Sequence, residues 1–182
     1  AVNANGSGTT SAATSVTPTT TSLYGTNRLV RLEAGNSSSY SGSGTAWTNL
    51  DSSGSYSATL VNAPTYQSAT ATKYFTFDGV NQIAEIAAAA AINPTAGSSF
   101  TVQIWARVNT SSPNFSSNDG LFSKQYGSPS YDGYSLSLNA SGAMTLYMNG
   151  SAVNGIYSSS PSVYSSGVWA LYTSVVRFGG GS

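Results

Sequence analysis

Neither cysteine nor histidine occurs in this 182-residue chain, and charge is nearly absent, with six Lys+Arg against six Asp+Glu. Each absence closes a class of function. Without cysteine there is no disulfide framework and no thiolate metal site. Without histidine there is no Ser-His-Asp or Cys-His machinery, no zinc finger and no histidine-ligated haem. A formal net charge of +0 removes the basic footprint of a nucleic-acid binder, so no nucleic acid is expected as a partner. No apolar run approaches the roughly 18 residues of a spanning helix, and no membrane insertion is expected.

What is present is hydroxyl, amide and aromatic ring. About 55 residues are Ser or Thr, against a charged fraction of 7%, far below the usual quarter. The 40% hydrophobic content and the length fit one domain with a real core. A surface so poor in charge has little repulsion to keep copies apart. It suits hydrogen-bonded contact in a packed assembly or the binding of uncharged sugars, and an ordinary secreted domain has the same composition.

Residues 1–22 hold almost nothing that builds a core, and they read as an extended Ser/Thr-rich arm preceding a domain over 23–182. Thr9, Thr14, Val16, Thr19 and Thr21 have the β propensity to add a strand to a neighbouring subunit. Wrapping of the arm around its own domain is the other reading. The opening Ala1 is consistent with loss of an initiator methionine, cleavage of a leader, or an excised piece.

From Leu23 onward the pattern is β. Candidate strands are 29–33, 57–61, 73–77, 100–108, 134–138, 143–148 and 169–178, between clusters of Gly, Pro, Asn, Asp and Ser. Alternation along 100–108 places Phe100, Val102, Ile104, Ala106 and Val108 on one face and Trp105 on the other. The stretch 134–148 reads as a hairpin, with Asn149-Gly150 starting the next reversal, and 109–133 reads as a long loop. Over 83–92, five consecutive alanines give helical propensity, but Pro94 and Gly97 close it, which predicts a short helical turn or a strand end followed by a loop rather than a full helix. Six to nine short strands imply an all-β chain folded as an antiparallel two-sheet sandwich.

Several blocks resemble one family. Leu32-Glu33-Ala34-Gly35-Asn36, Ser39-Tyr40, Gly42-Ser43-Gly44-Thr45, Trp47 and Leu50 are similar to the opening of laminin-G-like, concanavalin A-like jelly-roll domains. The likeness continues through Phe77-Asp78-Gly79-Val80-Asn81, Asn93-Pro94-Thr95, Phe100-Thr101-Val102, Trp105, Gly133-Tyr134 and Val168-Trp169, and covers roughly 29–176. It implies two curved antiparallel sheets stacked face to face but no single activity, since the fold carries lectins, glucanases, adhesion modules and phage virion proteins. Two departures stand out. Gln82 occupies a position where the family usually has Asp, and the chain ends at Ser182 before the family's last strands. The jelly roll is therefore either part of a longer chain or incomplete at its C-terminus, with an open edge for another chain to cover.

Catalysis is not expected. Glycoside hydrolysis needs two carboxyl groups facing each other, and Glu33, Asp51, Asp78, Glu85, Asp119 and Asp132 are scattered without the alternate spacing that shares a strand face. Asp78, Asp119 and Asp132 each precede a glycine. They are candidate calcium ligands at loop ends, and the plainer reading of each Asp-Gly pair is turn chemistry. Tyr126, Tyr131, Tyr134 and Phe115 are candidates for glycan stacking or for rim and subunit contact. Trp47, Trp105 and Trp169 read as packing residues. The sequons at Asn36 and Asn114 arise readily in so Ser-rich a chain.

The expectation is thus a non-catalytic structural or assembly protein without a cofactor. It would be a phage virion component (decoration, fibre or tail-associated) or an extracellular filament subunit, located on a virion or at a cell surface. Its partners would be copies of itself or other subunits of the assembly. The alternative is a glycan-binding adhesion module.

Overall fold

The computed structural model describes residues 27–51, 55–92, 99–109, 120–126, 132–138, 143–149, 155–158 and 165–177. The arm residues Thr9, Thr14, Val16, Thr19 and Thr21 and the candidates Phe115, Asp119 and Tyr131 lie outside these. Tyr126 and Asp132 are described by their backbone alone.

The chain is nearly all β, in several antiparallel sheets. Among the described residues eleven strands follow in order: β1 Ala46–Trp47, β2 Ala58–Val61, β3 Thr65–Gln67, β4 Tyr74–Thr76, β5 Ile83–Ile86, β6 Phe100–Arg107, β7 Phe122–Tyr126, β8 Asp132–Leu138, β9 Met144–Asn149, β10 Gly155–Ser158 and β11 Trp169–Val176. They form sheets ordered β1-β2-β5, β10-β9-β8-β7, β11-β6 and β3-β4. Between β5 and β6 the alanine run ends in a 3₁₀ turn, Ala90–Ile92, so a strand and a short helical turn, read from the sequence as alternatives, both occur over 83–92.

Two cores organise these strands. In the larger one, period-two alternation sends Tyr134, Leu136 and Leu138 of β8, Leu146 and Met148 of β9 and Tyr172 of β11 into one buried cluster. Phe100, Val102, Ile104 and Ala106 of β6 pack against it together with Ala170 and Val176 of β11. The β6–β11 ribbon thus lays its apolar face on the four-stranded sheet. Leu136 and Leu138 are fully buried.

The smaller core joins Tyr40, Leu60 and Phe75, flanked by Ala34, Trp47 and Tyr66. Tyr40 meets Tyr66 and Phe75 edge-on, both at 4.8 Å between ring centroids. The buried phenols find partners in the main chain: Tyr40 donates to Gly44 O and Tyr66 to Ala34 O, each at 3.0 Å.

Two differences from the sequence pattern have physical causes. Residues 29–33 are not a ladder strand. They are held by the Asn49 side chain, whose Oδ1 accepts from Arg31 N–H at 2.7 Å and whose Nδ2 donates to Leu29 O at 2.8 Å and Ser55 O at 2.6 Å. The expected loop 109–133 contains β7, which pairs with β8 from Phe122↔Leu136 to Tyr126↔Asp132. Apolar alternation is weak in Phe-Ser-Lys-Gln-Tyr, so its strand character comes from its neighbour.

Asn49 is 2% exposed and also accepts Asp51 N–H at 3.1 Å. Replacing it by Leu strands several buried main-chain groups at once. Asn49→Leu is expected to destabilise the chain by about 2–4 kcal/mol, read as a lower urea midpoint at unchanged m-value. A change below about 0.5 kcal/mol would show that these groups are solvated instead.

Candidate interaction site on the β6–β11 ribbon

β6 and β11 pair in eight consecutive positions, from Trp169↔Arg107 to Val176↔Phe100. Because one face is committed to the core, the pleat turns Thr101, Gln103, Trp105 and Arg107 outward opposite Val175, Thr173, Leu171 and Trp169. Trp105 is 57% exposed and its cross-strand partner Leu171 is 49% exposed. Trp105 is therefore not the packing residue expected from the sequence: the alternation that buries Ile104 and Ala106 forces the indole outward.

The end of this face is structured by an aromatic cluster around a guanidinium. Arg107 lies over the rings of Tyr74 and Trp169, at 5.3 and 5.4 Å to their centroids. Its Nη2 donates to the Tyr74 hydroxyl at 3.2 Å, and the two rings meet edge-on at 5.1 Å. Tyr74 belongs to β4, next to Phe75 of the smaller core, so this cluster ties the two cores together. Farther along, Gln103 Nε2 donates to Thr173 Oγ1 at 3.0 Å across the ribbon.

The ribbon also has two edges. β6 and β11 are paired only with each other among the described residues. Natural edge strands are commonly blunted by charge, proline or a bulge. Here β11 carries no charge, β6 carries only Arg107, and neither contains proline.

The residues singled out from the sequence fall elsewhere. Tyr134 is a core residue, 7% exposed, with its ring on Phe100 and Phe122 and its hydroxyl donating to Ile92 O at 3.4 Å. The ring read from the sequence as a glycan, rim or subunit contact is packed in the interior, because alternation in β8 places it beside Leu136 and Leu138. Burial pushes its phenol above the usual tyrosine value.

Asp78 sits in an exposed turn, where its Oδ1 accepts from the N–H groups of Val80, Asn81 and Gln82 at 2.9, 3.2 and 3.2 Å. These bonds, led by that from Val80, hold its carboxyl below the usual range. Gly79 supplies the left-handed φ of 72° that the turn requires. Gln82 is the key to this turn, since its Oε1 accepts Asp78 N–H at 3.0 Å while its Nε2 donates to Ala63 O at 3.2 Å. An aspartate at this position could not make the second bond. Among the described residues, no three acidic side chains gather to hold a metal ion.

Compared with family models, curated proteins and solved structures, the chain matches none.

Arg107→Ala is expected to cost about 1–2 kcal/mol, by removing its ring contacts and the hydrogen bond to Tyr74. Chemical denaturation measures it, and a double-mutant cycle with Tyr74→Phe should show non-additivity. Stability should also have a flat plateau from about pH 5 to pH 9, since no histidine or cysteine titrates there. Asp51, held low chiefly by its hydrogen bond from Arg28, and Asp78 contribute stability above their unfolded pKa values, and lose it as pH falls through the lower folded values. Tyr134, shifted upward, contributes below its unfolded value of about 10 and loses it as pH rises through the folded one. Melting curves across pH 2–11 test both limbs.

Proposed function

We propose that this chain is a non-catalytic structural or assembly protein, either a phage virion component or an extracellular filament subunit. On this reading its β layers form a laminin-G-like jelly roll, joined to neighbouring subunits by strand pairing. The observation that carries the reading is the ribbon edge, where two eight-residue strands of high β propensity pair with no third strand among the described residues and carry a single charge between them. A strand added there bonds through the main chain and needs no charge complementarity, which fits a chain with formal net charge +0. The Thr-rich arm of residues 1–22 is the donor strand in this proposal.

Three of the described acidic groups are engaged in local structure. Asp51 pairs with Arg28, Glu33 with Arg31, and Asp78 caps its turn.

Light scattering and electron microscopy on residues 1–182, on a chain beginning at Leu23, and on Thr101→Lys test this reading. The full chain should form defined oligomers or filaments. Removal of the arm should abolish them, and a lysine on the exposed Thr101 position of β6 should weaken them. A full chain that stays monomeric, or oligomers indifferent to both changes, would overturn the proposal.

A further inference from the structure

We infer that the arm of a neighbouring copy adds beside β6 rather than beside β11, with Thr10, Ala12, Thr14 and Val16 turned toward the larger core. The inference rests on the strand-pairing reading above and names its acceptor edge and the buried face of its donor.

The acceptor edge follows from unequal burial within single rows of the ribbon. Ile104 pairs with Tyr172 and Val102 with Ser174, and the pleat turns all four side chains to the inner face. Tyr172 and Ser174 are 3% and 7% exposed, whereas Ile104 and Val102 are only half-buried. Two residues of one row lie at the same height along the ribbon, so the difference runs across it. The β11 side is covered, and on the β6 side the apolar cover gives out. Phe100, Ala106 and Val108 repeat the pattern, each packed against the core and each half-buried. On β11 only Ala170 and Val176, near its two ends, are left so. A strand laid beside β11 would therefore find little apolar surface to cover in the central rows. One laid beside β6 would take five partly wet apolar side chains out of water.

The donor's face follows from its own alternation. Residues 9–17 read TTSAATSVT, a run of nine that matches the eight residues of β6 and is closed by Pro18, which lacks the N–H for a further ladder bond. Period two divides the run into Thr10, Ala12, Thr14 and Val16 on one face and Thr9, Ser11, Ala13, Ser15 and Thr17 on the other. Every member of the first set carries a methyl group, and Val16 is the only aliphatic side chain of the run larger than alanine. That set suits the half-buried flank of β6, and the hydroxyl-rich set suits water. No side chain of residues 1–27 is charged, so nothing in the donor opposes Arg107, the one charge of β6.

Because the chain has no cysteine, introduced thiols report single contacts. Chains carrying Ser11→Cys, Ala13→Cys or Ser15→Cys are co-expressed with chains carrying Thr101→Cys on β6 or Val175→Cys on its cross-strand partner in β11, both exposed positions. A disulfide needs Cα atoms within about 7 Å, which reaches an adjacent strand at about 5 Å but not the next one at about 10 Å. Oxidation should join at least one arm position to Thr101→Cys in a disulfide-linked heterodimer, and none to Val175→Cys. In sedimentation, Val16→Asp should weaken assembly at least about tenfold more than Ser15→Asp, and Val16→Ile should assemble like the parent chain. Arm disulfides to Val175→Cys instead, equal effects of the two aspartates, or disulfides only between two Thr101→Cys positions would overturn the inference. The first two of these results would leave strand pairing by the arm standing. A full chain that stays monomeric would overturn both.

Discussion

Eight consecutive residue pairs lock β6 to β11, and the pleat of that ribbon decides which side chains reach the interior. Phe100, Val102, Ile104 and Ala106 face the four-stranded sheet together with Ala170, Tyr172 and Val176. A slip of one residue would send this whole set to solvent and drive Trp105, Gln103 and Arg107 into the core. The cost of burying an amide and a guanidinium without partners makes the register close to obligatory. Everything proposed for the ribbon follows from this commitment: the inner face is fixed by the core, so the outer face and the edges are what remain for other molecules.

The other half of the described chain solves a different problem. Beside the ion pairs Arg28–Asp51 and Arg31–Glu33 and the Asp78 cap, its loops are closed by neutral amides and hydroxyls. Asn49 bonds to four main-chain groups, from residues 29, 31, 51 and 55. Ser39 accepts Glu33 N–H and donates to Thr48 O. Gln82 links the Asp78 turn to the corner at Asn62 and Ala63, where two consecutive non-glycine residues take left-handed φ values of 58° and 54°. The bonds made by Asn49 and Gln82 hold that strained corner and the 29–33 segment in place. Tyr74, Arg107 and Trp169 connect this half to the ribbon, so the exposed face is braced by both cores.

Much of the local pattern was legible. The hairpin of β8 and β9, the inner face of β6 and the last strand all follow from alternation and turn residues, which act within a few positions. The opening motif was legible as sequence, and its Tyr40 and Trp47 meet Tyr66 and Phe75 in one aromatic cluster. What escaped local reading depends on neighbours. β7 owes its strand character to pairing with β8, and 29–33 is held by the Asn49 side chain and by Leu50 N–H on Arg31 O rather than by a ladder with a described strand. Tyr134 and Trp105 were each assigned the opposite environment from the one they occupy. For Trp105 the alternation was already visible, and the signal lay in the uncommitted outer face. For Tyr134 the aromatic type suggested a surface while its own alternation with Leu136 and Leu138 pointed inward.

The amino-acid sequence by itself determined that this is a β chain without thiol or imidazole side chains, and where most of its strands run. Composition and period-two patterning act locally, and no tertiary contact can add a missing side chain. Tertiary structure alone decided which of the two faces of each strand meets another layer, that Asn49 rather than a ladder holds the 29–33 segment, and that Trp105 is left in the open beside Gln103 and Thr173. Those outcomes depend on which partner strand is present and in what register, and burial is a property of the assembled layers rather than of any one segment.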